Sequence, residues 1–280
     1  MLDLNMPVDS RTSFSDYLIR LQASGRHSFT RAEARQALRI SDAALLKAAA
    51  RLRRKHMLVN PRHGFYVAVP PQYHSWGAPP PNWYIDDLMR HEGRPYYVGL
   101  LKAAEFHGAT HHAVMEFQVM TDRQLPRIRA GRSFIAFYFR KDLQPVLSAV
   151  ESRKTDTGSM KISSVELTAL DLIRYAHAAG GIDTVATALT DLGEKIVGEK
   201  LAATAVHFER ATVQRLGYLL DHLGYSTATE PLHKSLFAQP SVPWVKLDPA
   251  RRKNRIASKE LAEKNQRWRV AVQHLPEIDE

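Results

Sequence analysis

The stretch "LLKAAARLRRKHMLVNPRHGFYVAV", Leu45 to Val69, decides how the first part of the chain folds. Its first half has helical periodicity: Leu45, Ala48, Ala49 and Leu52 fall on one face, and Lys47, Arg51 and Arg54, spaced i, i+4, i+7, fall on another. Its second half changes period. Met57 to Asn60 and Phe65 to Val69 read as two short strands around Pro-Arg-His-Gly, a turn with proline early and glycine where a positive φ is expected. Ser41 is a good N-cap for the helix. Further toward the N-terminus, Thr30-Arg-Ala-Glu33 matches a capping box opening a short helix to about Leu38. Phe14, Tyr17, Leu18 and Leu21 mark an amphipathic helix from Ser13 to Ala23. Three helices followed by a hairpin predict a winged helix-turn-helix.

A helix with an alanine-lined body and a basic outer stripe fits a DNA major groove about 12 Å wide. The candidate DNA-binding residues are Ser41 and Ala43, small enough at the helix start for close backbone approach, then Lys47, Arg51 and Arg54 along the stripe. Lys55 at the helix end and Arg62 and His63 at the wing tip are expected to meet phosphates. Basic residues near a helix C-terminus are also favoured by the helix dipole alone, so the whole arrangement carries more weight than any single cation. Charge location agrees with it. Of a net +10, residues 1–70 hold 12 Lys and Arg against 5 Asp and Glu, while the rest of the chain holds 27 against 24. A locally basic segment is the electrostatic footprint of polyanion binding, equally compatible by itself with DNA, RNA or an anionic membrane.

A length of 280 residues predicts two compact units. Pro70-Pro71 and Pro79-Pro80-Pro81 bracket a stiff stretch. The expected division is a winged helix-turn-helix domain over 1–72, a Pro-rich linker over 73–82 and a larger mixed α/β domain over 83–280, an α+β chain as a whole. In the larger part, helices are expected over Tyr84 to Arg90 and Tyr97 to Phe106. Strands are expected at Met115 to Val119, Phe134 to Phe139 and Met160 to Ser163. Ser163-Ser-Val-Glu166 reads as a second capping box, with Asp171 on a polar edge of its helix. Further helices are expected at Asp183 to Leu192 and Leu201 to Leu223, and strands at Trp244 to Leu247 and Trp268 to Val272.

The absence of cysteine excludes disulfides, thiolate zinc sites, iron–sulfur clusters and cysteine nucleophiles. No run approaches the roughly 18 apolar residues of a membrane span, and "MLDLNMPVDSRTS" lacks the pattern of a secretory signal, so a cytoplasmic protein without membrane contact is expected. His107, His111 and His112 have helical metal-ligand spacing, but Gly108 interrupts the helix. The "HEGRP" at His91 has no second histidine four positions on, and "GEKIVGEK" from Gly193 puts Glu199 where a phosphate loop needs lysine. No nucleophile, base and orienter assemble, so neither enzymatic activity nor a cofactor or metal is expected. The basic "RRKNR" at Arg251 to Arg255, with Lys259, is a solvated loop or an extension of a nucleic-acid surface.

Two stretches resemble a known family. "RPYYVGLLKAAEFHGATHHAVMEFQVMT" (Arg94 to Thr121) is similar to the start of the C-terminal domain of AbiEi-type antitoxins, regulators in bacterial type IV toxin–antitoxin (abortive-infection) systems. "ISSVELTALDLIRYAHAAGGIDTVATAL" (Ile162 to Leu189) is similar to that family's next marker. The resemblance implies an autoregulating repressor that binds inverted repeats in its own promoter as double-stranded DNA. It also implies antagonism of a nucleotidyltransferase-like toxin. The alternatives are a nucleotidyl- or phosphotransferase acting on RNA, and a ligand-sensing transcription factor without antitoxin activity.

Overall fold

The helices of the N-terminal segment start at the caps their sequence supplies. The computed structural model describes residues 13–109, 114–238, 240–249 and 263–278. Helix α1 (Phe14–Ala23) begins at Ser13, whose hydroxyl accepts the Asp16 N–H while the Asp16 carboxylate accepts the Ser13 N–H. A strand β1 (Ser28–Thr30) leads into α2 (Arg31–Leu38), where Thr30 and Glu33 form the expected reciprocal box. Arg39, in left-handed backbone at φ 50°, turns the chain, and α3 (Asp42–Arg54) starts from Ser41. Strands β2 (Leu58–Arg62) and β3 (Phe65–Ala68) form the hairpin, with Gly64 at φ 73° in its turn. Strand β1 is not legible in the sequence, because three residues are too few for an alternation to register. It pairs antiparallel with β3, and the sheet order is β1-β3-β2.

Single 3-10 turns at Pro71–Tyr73 and Pro81–Trp83 follow, then α4 (Ile85–Glu92), β4 (Tyr96–Val98), α5 (Leu100–Phe106) and β5 (Glu116–Thr121). Next come β6 (Ile128–Ala130), β7 (Ser133–Phe139), β8 (Val150–Thr155), β9 (Gly158–Ser163), α6 (Val165–Arg174) and α7 (Ile182–Gly193). The chain continues as α8 (Gly198–Ala205), α9 (Arg210–His222), α10 (Ser226–Phe237), β10 (Val245–Lys246), β11 (Glu263–Asn265) and β12 (Val270–Val272).

Several elements differ from those the sequence predicts. The helix expected from Tyr97 starts only at Leu100, because Tyr96–Val98 is a strand paired antiparallel with β5 and parallel with β9. The helix expected from Leu201 to Leu223 is two helices, since the chain leaves helical geometry between α8 and α9. Helix α10 escaped the sequence reading because Pro231 lies inside it. The cap of α6 is Ser164 rather than Ser163, and the Glu166 carboxylate accepts the N–H of Val197 at 3.1 Å instead of closing a box. Strand β8 is exposed or half-exposed throughout and so carries no apolar alternation.

By contacts the molecule forms two compact units. The first comprises Met1–Pro95, Pro126–Ala136 and Arg153–Met160, and the second Tyr96–Leu125, Phe137–Ser152 and Lys161–Glu280. Strands β7, β8 and β9 each begin in one unit and end in the other. The first unit closes over Leu18, Leu21, Phe29, Leu45, Leu52 and Tyr66, with the Phe29 and Tyr66 rings stacked at 5.5 Å. Burial of such side chains stabilises by about 1.5–3 kcal/mol each before the cost of ordering them. The second unit is a mixed α/β body built around α6, whose residues from Glu166 to Ile173 are all buried. A further small sheet, in the order β10-β12-β11, places Trp268 and Val270 in the same core.

Asp171 lies at the centre of this core and not on a polar edge. Its side chain and that of Arg140 are both fully buried and joined at 2.6 Å. The Tyr97 hydroxyl donates to the second carboxylate oxygen, also at 2.6 Å. Burial pushes the Asp171 carboxyl up to about 6, against the opposing pull of Arg140 and of the Tyr97 hydroxyl. Removing one partner strands a buried charge, so Arg140→Ala or Asp171→Ala is expected to cost roughly 3–5 kcal/mol in urea unfolding. The pair Arg140→Met with Asp171→Leu should cost far less than the two single losses together, and additive losses would show the charges to be uncoupled. A carboxyl whose folded value lies above its unfolded value of about 4 takes up protons on folding between those values. Its contribution to stability therefore falls as pH rises from about 4 to about 6. The stability difference between wild type and Asp171→Asn should move against the wild type across that window.

Candidate nucleic-acid interface

Helix α3 divides as its sequence indicates. Leu45, Ala49 and Leu52 are buried, while Lys47, Arg51 and Arg54 are exposed and carry no acidic partner among the described residues. At its start, the Ser41 hydroxyl is occupied in accepting the Ala44 N–H, and Ala43 is exposed beside it. Asp42 would place a negative charge at the same end, but Arg31 at 2.9 Å and Arg35 at 3.2 Å compensate it. Lys55 closes the helix through its backbone N–H and leaves its side chain exposed. The helix thus presents exposed cations from Lys47 to its C-terminal end.

The hairpin tip is built differently from what the sequence suggested. Arg62 is only 17% exposed: its Nε lies 3.1 Å from Glu92, and a terminal nitrogen donates to the Pro126 carbonyl at 2.5 Å. The Asn60 amide donates to the carbonyls of Arg62 and Phe65, bridging the turn where Pro61 has no N–H to offer. The His91 ring donates to the His63 carbonyl at 3.0 Å and lies against Phe65, while the His63 side chain is exposed. The wing is therefore held by its own base and by α4. Ser28, 2% exposed, donates to Asp87, which also accepts from Arg90 at 2.6 Å. Nothing in the sequence pairs these residues, because they lie 59 positions apart.

The other candidates have structural partners. The His107 ring donates to the Ser163 carbonyl at 2.8 Å, and Lys195 of the "GEKIVGEK" turn donates to the His107 carbonyl at 2.5 Å. His111, His112, Arg251 to Arg255 and Lys259 lie outside the described residues. Among the described residues no three His, Asp or Glu side chains are placed to share a metal ion. A cleft of about 300 Å³ in the second unit is lined by Ser148, Glu151, Ser164, Glu166, Lys200 and His207. Glu166 and Ser164 are already engaged there by helix termini. No helix among the described residues is long and apolar enough to cross a membrane.

Charge separates between the units more sharply than along the sequence. The first unit holds 19 Lys and Arg against 9 Asp and Glu, and the second holds 20 of each. The entire net charge of +10 therefore belongs to the unit that contains α3. What the fold and this distribution define is a chain with a small basic helix-and-hairpin unit and an electrically neutral α/β unit. Residues 97–222, most of which lie in the second unit, match the model of the AbiEi antitoxin C-terminal domain. Among solved structures, the crystal structure of the RV2827C protein from Mycobacterium tuberculosis is similar in fold. It has a TM-score of 0.65 at 16% identity, over 92% of this chain and 90% of that one. No curated protein matches the chain.

The anchoring of the wing can be measured. Arg62→Ala leaves Glu92 and the Pro126 carbonyl without their donor and is expected to destabilise the first unit by about 1–3 kcal/mol. Glu92→Gln should reproduce part of that loss in thermal unfolding. A wild-type melting temperature for Arg62→Ala would show the tip to be held by other contacts.

Proposed function

We propose that the protein is a DNA-binding transcriptional repressor of its own operon and the antitoxin of a nucleotidyltransferase-like toxin. The observation that carries the DNA-binding part is the confinement of the whole net charge to the unit bearing the exposed stripe of α3. The order α1-β1-α2-α3-β2-β3, with the sheet order β1-β3-β2, supports reading that unit as a winged helix-turn-helix. In this reading Lys47 and Arg51 reach base edges and Arg54 and Lys55 meet phosphates. Ser41 and Ala43 allow close approach, and His63 stands at the wing tip over the support of Arg62. The antitoxin part rests on the family whose model residues 97–222 match.

Two measurements test the reading. The purified full chain should bind the duplex upstream of its own operon, with log K falling by about 0.9 per unit log salt for each phosphate neutralised. Lys47→Ala or Arg51→Ala should cost roughly 1–3 kcal/mol on that duplex and relax the preference at one base pair. Operator affinity unchanged by both would mean that α3 is not the reading helix. Separately, the full chain expressed from a foreign promoter should restore growth to cells making the adjacent toxin. The Lys47→Ala/Arg51→Ala chain should rescue equally well while failing to repress. Failure of the wild type to rescue would leave a transcription factor without antitoxin activity.

A further inference from the structure

The first unit takes in a stretch from the middle of the chain, Pro126–Ala136, that holds three arginines and no acidic residue. This is the β6–β7 hairpin. Along β6, Ile128 and Ala130 are buried while Arg129 between them is exposed, so the strand turns one basic edge outward. Across the hairpin Arg129 stands opposite Phe134, and the guanidiniums of Arg127 and Arg129 lie 4.1 and 5.6 Å from that ring. At the turn, Arg132 is exposed 5.7 Å from the ring of Trp76, itself 54% exposed.

The hairpin is fixed in place. The Arg132 N–H donates to the Trp76 carbonyl at 2.9 Å, and a Cβ on Gly131 would fall 2.1 Å from that same oxygen, so only glycine admits this approach. At its other end the Pro126 carbonyl accepts from Arg62 at the tip of the β2–β3 wing, and β6 lies against β2. Cations held against aromatic rings lose little freedom on binding an anion, and beside the wing they would face the backbone of a duplex bound as in the reading above.

We propose that the β6–β7 hairpin is a second wing, through which Arg129 and Arg132 contact the phosphate backbone of double-stranded DNA flanking the site read by α3. The inference rests on the DNA-binding reading above and extends it to a part of the chain far from the helix-and-wing segment. Phosphate contacts carry no sequence information, so their loss has a signature distinct from that of the reading helix.

The test uses the full chain with Arg129→Ala/Arg132→Ala, and Arg129→Gln/Arg132→Gln should the alanine form melt early. Two long duplexes serve as probes, the operon's upstream DNA and an unrelated sequence, with a single-stranded RNA of equal length beside them. The expected result is an affinity loss of about tenfold or more on both duplexes alike. The salt slope should become shallower by about 1.8, for two phosphates at about 0.9 each. Arg129→Lys/Arg132→Lys should keep the wild-type slope. Wild-type duplex binding by the alanine and glutamine forms, while Arg51→Ala still loses the operator, overturns the second wing and leaves the repressor reading standing. A loss confined to the RNA overturns it in favour of an RNA contact. A wild-type chain that binds neither duplex overturns the repressor reading and this inference together.

Discussion

A guanidinium with no access to water organises the second unit. Arg140, the residue after β7, meets Asp171 in the middle of α6, and the carboxylate in turn meets Tyr97 of β4. The Arg140 Nε donates to the Asp142 carbonyl at 3.1 Å, and its Cζ lies 4.3 Å from the centre of the Phe208 ring between α8 and α9. Taking both charges out of water costs several kcal/mol per ion and is offset only when every donor and acceptor is met in good geometry. That requirement ties a strand end, a central helix, the first strand and the α8–α9 break to one point. It also gives a reason for the break itself. A continuous helix through Val206–Glu209 would remove Phe208 and the His207 carbonyl from the guanidinium they face.

Among its described residues the first unit has no such buried pair and is held by ordinary means. Three capped helices close over an aromatic cluster, and the hairpin is completed by a side chain, Asn60, where proline interrupts the ladder. Its polar ties are partly exposed, as in Arg62 with Glu92, and worth correspondingly less than the pair in the second unit. What distinguishes this unit is its field. With +10 on a small body and neutrality in the other unit, anion attraction is concentrated where the exposed basic helix stands.

Arg140, Arg62 and the cations of α3 put positive charge to three different uses. In Arg140 the charge is spent on structure and is invisible from outside. Arg62 is intermediate: a cation that a sequence reading places at a phosphate, but which the fold engages in steadying the wing. Lys47, Arg51 and Arg54 have no acidic partner among the described residues, and their worth lies in what approaches from solvent.

Elements whose causes are local can be read from the chain before it folds. The caps at Ser13, Thr30 and Ser41 lie within three residues of the N–H groups they satisfy, and the two faces of α3 follow from a 3.6-residue period. The same locality made β5 and β7 legible from their apolar patterns. Features that depend on residues far apart in the chain emerge only in the folded molecule. Strands β1 and β4 are too short to announce themselves and exist because β3, β5 and β9 supply their hydrogen bonds. Asp171 in "LTALDLI" reads as a polar edge until Arg140, 31 positions earlier, is seen to neutralise it. Likewise Arg62 reads as free until Glu92 and Pro126 are brought to it. The partition of charge between the units was hidden for the same reason: two stretches from the middle of the chain fold into the first unit, and spacing along a sequence carries no record of that return.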